Sequence, residues 1–116
     1  MSGCKELEDT ARLLDALGHP LRLRIVALLW KRGEAYLAEI AEALGVSRAL
    51  AKVHLKKLES AGVVESRIVV EPGRAVARRF YRLKWRDSIL LSPESIASLV
   101  SRCRGDRDDG ESGEPG

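Results

Sequence analysis

The stretch from Leu37 to Gly62 constrains the chain most, because it holds two short helical periodicities separated by a tight break. Leu37, Ile40, Ala41 and Leu44 fall on one face of a first helix. Gly45 supplies a residue able to take the left-handed conformation that ends a helix at low cost. Ser47 then stands where an N-cap is needed, its hydroxyl available to a backbone N–H of the next turn. Ala51, Leu55 and Leu58 line the inner face of a second helix, and Gly62 stops it. The pattern predicts two helices joined by a tight turn.

The outer face of the second helix carries Arg48, Ala49, Lys52, Val53, Lys56 and Lys57. A helix lying in the major groove presents its first turns to base edges, where small residues allow close approach and forked or flexible donors reach guanine. Arg48, Ala49 and Lys52 suit that use. Lys56 and Lys57 come later, at positions suited to phosphate. A solvated basic helix face would carry the same charges, so the neighbouring segment matters. Val63 to Glu71 is rich in Val and Ile, and Glu71-Pro72-Gly73-Arg74 places Pro and Gly at the centre of a type II turn. Residues 75–84 then alternate, with Tyr81 and Leu83 on one face and Phe80 and Arg82 on the other. A helix-turn-helix followed directly by a hairpin predicts a winged helix.

Charge is segregated along the chain in the same sense. Residues 47–86 hold 11 basic and 3 acidic residues, whereas residues 1–46 hold 6 and 7. The segment from Gly105 onward holds 1 basic and 5 acidic residues and no apolar one, which predicts a disordered acidic tail over 105–116 after a single domain over 1–104. The positive charge thus sits on the second helix and the wing, where a phosphate backbone would be neutralised. Asn and Gln are absent, which with abundant Arg and Glu points to a thermophilic source; a GC-rich genome gives the same bias. No apolar run reaches spanning length and no signal-peptide pattern opens the chain, so a cytoplasmic location and no membrane partner are expected.

Before this region, residues 5–17 read as a helix with Leu7, Ala11 and Leu14 on one face, and Gly18-His19-Pro20 breaks it. A second helix from Pro20 to about Lys31 puts Leu21, Ile25, Leu28 and Leu29 inside, and Gly33 ends it. After the wing, Ser92-Pro93-Glu94 is a strong helix start, followed by the stripe Ile96, Leu99, Val100 and Cys103. The first and last helices carry apolar stripes that a small winged domain does not readily bury alone. Leu7, Ala11, Leu14, Ile96, Leu99, Val100 and Cys103 are therefore expected at a dimer interface; packing within the same domain is the alternative.

With these residues in view, the chain resembles the ArsR-type winged-helix transcriptional regulators. The resemblance rests on the run Leu17 to Ile25, on Ser47 through Leu58 and on Phe80-Tyr81-Arg82-Leu83, and covers residues 5 to 103. Leu91-Ser92-Pro93-Glu94 is similar to archaeal members in particular. It implies a mainly α fold with a small β-hairpin (α+β): five helices plus a two-stranded wing, dimerising through the terminal helices. It also implies that Ser47, Arg48, Ala49, Lys52 and Val53 face the groove. Members often carry Arg where Val53 stands; here Val53 suits a thymine methyl and Lys52 supplies the charge. His54 matches a common histidine, read here as a packing residue that bonds locally or to a phosphate.

Many members hold metals through Cys-x-Cys on the first helix of the helix-turn-helix, where this chain has Tyr36-Leu37-Ala38. Others use His and Asp on the last helix, and residues 93–104 contain neither. Cys4, Cys103, His19 and His54 do not make a zinc set by spacing, so no metal or other cofactor is expected. Cys4 and Cys103 lie in helices expected to be neighbours, so a disulfide within or between subunits is conceivable and the pair is a candidate redox element. The alternative places Cys103 in the core and Cys4 in a frayed end. The sequence leaves a small-molecule or redox effector open and does not identify one.

No enzyme signature is present: there is no phosphate loop, and the histidines have no paired nucleophile or carboxylates. The leading expectation is a sequence-specific regulator of double-stranded DNA, most simply a dimeric repressor. Arg48 and Lys52 would read bases, while Lys56, Lys57, Arg74, Arg78 and Arg79 would hold phosphates and the minor groove. Two other readings compete. One is a winged helix used for protein contact within transcription or RNA-processing machinery, which Leu50 and Val53 favour slightly. The other is a non-specific chromatin-type binder, marked by a steep salt dependence without sequence preference.

Overall fold

Capping chemistry sets most element boundaries in the computed structural model, which describes residues 4–103. In chain order the elements are α1 (Lys5–Leu17), α2 (Pro20–Arg32), β1 (Ala35–Tyr36), α3 (Leu37–Leu44), α4 (Arg48–Ser60), β2 (Val64–Val70), β3 (Ala77–Leu83) and α5 (Pro93–Arg102). The tail expected to be disordered lies outside the described residues. Gly45 closes α3 at φ +70°, and Ser47 Oγ accepts the Leu50 N–H at 3.0 Å to open α4. These contacts satisfy backbone groups that helix ends otherwise leave unpaired. Ser92 and Ser95 cap α5 reciprocally at 2.9 and 3.0 Å, with Pro93 in the first turn. At α2 the cap is His19: its Nδ1 accepts the Leu21 N–H at 3.0 Å, a role the sequence reading did not assign.

The described residues form two compact units, Leu13–Arg86 and a second comprising 4–12 with 87–103. In the first, Ile25 and Leu29 of α2, Ile40 of α3, Leu55 and Leu58 of α4, and Val63 with Val64 are fully buried. Tyr81 and Leu83 close this core from β3. Burying such side chains contributes about 1.5–3 kcal/mol each, which is what holds α4 to the body. Phe80 and Arg82 take the opposite face, as alternation predicts.

The two-stranded wing is formed by β2 and β3, and the short β1 extends it at its base into a three-stranded antiparallel sheet of order β1-β3-β2. β2 and β3 pair from Val64↔Leu83 to Val70↔Ala77, and β1 adds Ala35↔Tyr81 and Tyr36↔Phe80 on the other edge of β3. A two-residue strand is too short to show alternation, so it left no sequence signature. At the wing tip, the Arg74 N–H donates to the Glu71 carbonyl at 3.2 Å and Gly73 has φ +78°, as a type II turn requires.

In the second unit, a disulfide joins Cys4 to Cys103, with the two Cα atoms 5.3 Å apart. Arg102 donates to Glu6 at 2.8 Å beside it. Of the α5 stripe only Leu99 is buried, at 8% exposure, while Ile96 and Val100 are 47% and 48% exposed. Leu90 and Leu91 of the preceding connector are exposed as well. Among the described residues no helix is long and apolar enough to cross a membrane.

Candidate nucleic-acid interface

The burial stripe of α4 separates two sets of side chains. Ala51, His54, Leu55 and Leu58 face inward, at the i, i+3, i+4, i+7 spacing of one helical face. Ser47, Arg48, Ala49, Leu50, Lys52, Val53, Lys56 and Lys57 are all exposed. Val53 is 62% exposed, an apolar side chain standing among cations. Among the described residues Arg48, Lys52 and Lys56 form no ion pair. Lys57 differs, since it meets Asp15 at 2.7 Å and holds that carboxyl below its ordinary pKa.

The wing arginines diverge. Arg78 and Arg79 are consecutive in a strand, so they project to opposite faces of the sheet. The Arg78 guanidinium lies 4.5 Å from the centre of the Tyr36 ring. That ring meets Phe80 edge-on at 5.5 Å, and Phe80 in turn lies 5.9 Å from the Arg67 guanidinium. Arg67 is tied to Glu34 by two hydrogen bonds of 2.9 and 3.0 Å. On the other face, Arg79 donates to Ser66 Oγ at 3.0 Å, and Ser66 donates to Glu59 of α4 at 2.8 Å. Arg74 stays at the tip, 3.6 Å from Glu71. A cleft of about 410 Å³ lies between the start of α4 and β3, lined by Tyr36, Arg48, Lys52, Arg78, Arg79 and Tyr81. Sequence reasoning passed over Tyr36; its signal was only a lone aromatic before α3.

His54 lies on the buried side of α4. It is 7% exposed, its ring centre lies 4.4 Å from that of His19, and its Nδ1 lies 3.2 Å from Arg22 Nη1. Arginine only donates, so Nδ1 must accept and the neutral ring carries its proton on Nε2. Its Nδ1 is thus engaged locally, by Arg22. Arg22 also donates to the Ala16 carbonyl at 2.6 Å, so it links the end of α1 to α4.

Burial, with the nearby His19 and Arg22 charges second, lowers the His54 pKa below its usual value of 6.5. The unfolded chain therefore binds a proton near pH 6.5 while the folded chain does not. Stability is full above that pH and falls as pH drops below it, until the folded pKa is reached, by up to about 1.4 kcal/mol per pH unit. A lower Tm at pH 5.5 than at 7.5, with a smaller drop in His54→Gln, is the expected result. Equal drops in both proteins would place the acid sensitivity elsewhere.

Among the described residues no three His, Cys, Asp or Glu side chains are placed to share a metal ion.

Comparison with known proteins points in one direction. The family described as helix-turn-helix domain matches residues 17–67. An HTH-type transcriptional regulator of Methanocaldococcus jannaschii is 38% identical over 79 residues, 68% of this chain and 80% of that protein. A biofilm growth-associated repressor of Xylella fastidiosa is 33% identical over 79 residues, 68% of this chain and 63% of that one. Among solved structures, a homodimeric winged helix-turn-helix DNA-binding domain from Mycobacterium bovis, a possible ArsR-family regulator, aligns with a TM-score of 0.59 and 32% identity. That match covers 84% of this chain and 77% of the other. The repressor BigR from Xylella fastidiosa aligns with a TM-score of 0.56 and 28% identity, over 84% and 83%.

Proposed function

This chain belongs to the winged helix-turn-helix transcriptional regulators of the ArsR type, and we propose that it is a homodimeric repressor that reads double-stranded DNA through α4. The observation that carries this reading is the exposed face of α4, whose leading cations Arg48 and Lys52 form no ion pair among the described residues. Cations held away from carboxylates on a capped, rigid helix retain their full attraction for phosphate and base edges. Ser47, Arg48, Ala49, Lys52 and Val53 meet bases, with Val53 against a thymine methyl. Lys56, Lys57, Arg74, Arg78 and Arg79 meet phosphates and the minor groove.

Two copies associate through α1 and α5. Ile96 and Val100 are the large apolar side chains that α5 leaves exposed, and Leu7, Ala11 and Leu14 join them from α1, while Leu99 and Cys103 are already engaged within the chain. A two-fold dimer places its α4 helices on half-sites about 34 Å apart, which suits a palindromic operator. In this reading the protein catalyses no reaction and works in the cytoplasm.

The test is a titration of the protein against the DNA upstream of its own gene and against scrambled DNA, at two salt concentrations. Preference by roughly a thousandfold is expected. Equal, salt-sensitive binding to both would replace the reading with a non-specific binder. A folded protein that binds neither at low salt would replace it with a protein-contact module.

A further inference from the structure

We infer that the cleft between α4 and β3 seats the sugar–phosphate strand that separates the two grooves, and that Tyr36 is a positioning residue there, holding Arg78 against that strand. The inference rests on the DNA-binding reading above and adds a strand seat at the root of the wing, with a residue outside both α4 and β3. In B-DNA one strand divides each major groove from the next minor groove. A protein with α4 in the first and its wing in the second must straddle that strand, and the space it leaves is the one between α4 and β3.

That space is charged from both sides. Arg48 and Lys52 line it from the helix, Arg78 and Arg79 reach it from the two faces of β3, and none of the four forms an ion pair among the described residues. The stacking of Arg78 is what makes the site more than a cluster of cations. A guanidinium laid on an aromatic face keeps its N–H donors at its edge, free for a phosphate fork. Tyr36 itself is fixed: it pairs with Phe80 in the sheet, its ring meets that of Phe80 edge-on, and its backbone N–H donates to Glu39 at 3.0 Å. Arg78 is thus held before DNA arrives, and less side-chain freedom is lost on binding.

The test uses the full chain and a duplex that the wild-type protein selects from a random pool. Arg78→Ala should weaken binding at least tenfold and lower the log–log salt slope by about 1.8, one phosphate's share in each half-site of the dimer. Tyr36→Ala should weaken it roughly threefold, and Tyr36→Phe, which keeps the ring face, should restore most of the loss. Arg82→Ala, which removes a cation paired with Glu65 outside the cleft, should leave affinity unchanged. Methylphosphonates placed one at a time along the duplex give a readout that a merely structural role does not move. At one phosphate beside the wing, neutralisation should weaken the wild type and leave Arg78→Ala indifferent. If wild type binds its duplex but Arg78→Ala keeps the same affinity and salt slope, or every methylphosphonate acts equally on both proteins, the strand seat is wrong and the DNA-binding reading stands. A wild type that enriches no duplex removes both.

Discussion

Replacing Arg48 and Lys52 together by alanine should lower affinity for the operator by roughly a thousandfold, to the level of scrambled DNA, with the fold intact. Both side chains are exposed and form no ion pair among the described residues, so their loss leaves no buried group without a partner. Surface changes of this kind alter stability by only about ±0.5 kcal/mol. The effect on binding is large because a good base contact contributes about 1–3 kcal/mol of discrimination, and a symmetric dimer makes each contact twice. Binding to scrambled DNA should fall much less, since Lys56, Lys57 and the wing arginines still meet phosphates. A double variant that keeps its preference for the operator would show that α4 does not read the sequence. Val53→Ala, by contrast, should change preference only where a thymine lies opposite.

The second large effect is on stability. The disulfide joins residues 99 apart, so it closes the whole described chain into one loop. A crosslink of that span lowers the entropy of the unfolded chain by up to about 4.7 kcal/mol at room temperature, and removal of a native disulfide from a small domain typically costs about 2–5. For a domain this size each kcal/mol moves the midpoint by about 4–8 °C. Cys103→Ser should therefore lower Tm by roughly 10 °C or more, and a reducing agent should bring wild type to the same value while leaving the variant unchanged. A wild type indifferent to reduction would mean that the crosslink does not govern stability. Operator affinity measured in the same two states separates the possibilities raised by the sequence. Equal affinity makes the bond a staple, and a changed affinity makes it a redox input.

Most of the scaffold was legible because each boundary carries its own chemistry. Gly45 and Ser47 fix the turn, Ser92 and Pro93 start α5, and the i, i+3, i+4 stripes name Ile40, Leu55 and Leu58 as core. His54 was legible too, since it lies three residues after Ala51 and four before Leu58, on the buried stripe. The parts that stayed hidden depend on partners far away in the chain. Nothing local marks Ala35–Tyr36 as a strand, because its pairing residues lie at 80 and 81. The cap made by His19 replaces the usual Ser, Thr, Asp or Asn, and the stack of Arg78 on Tyr36 joins residues 42 positions apart in the sequence. The α4 face was readable as basic; which of its cations would meet a carboxylate, as Lys57 meets Asp15, was not.

The Cys4–Cys103 bond also changes what a cut in the chain means. A protease that nicks the wing tip between Glu71 and Val76 severs the backbone inside a covalent ring, so the two pieces remain one molecule. On a denaturing gel without reductant the nicked protein runs as a single species, and only thiol treatment releases the fragments. Opening the ring at the wing while splicing the backbone at Cys4 and Cys103, whose Cα atoms lie 5.3 Å apart, would give a permuted chain.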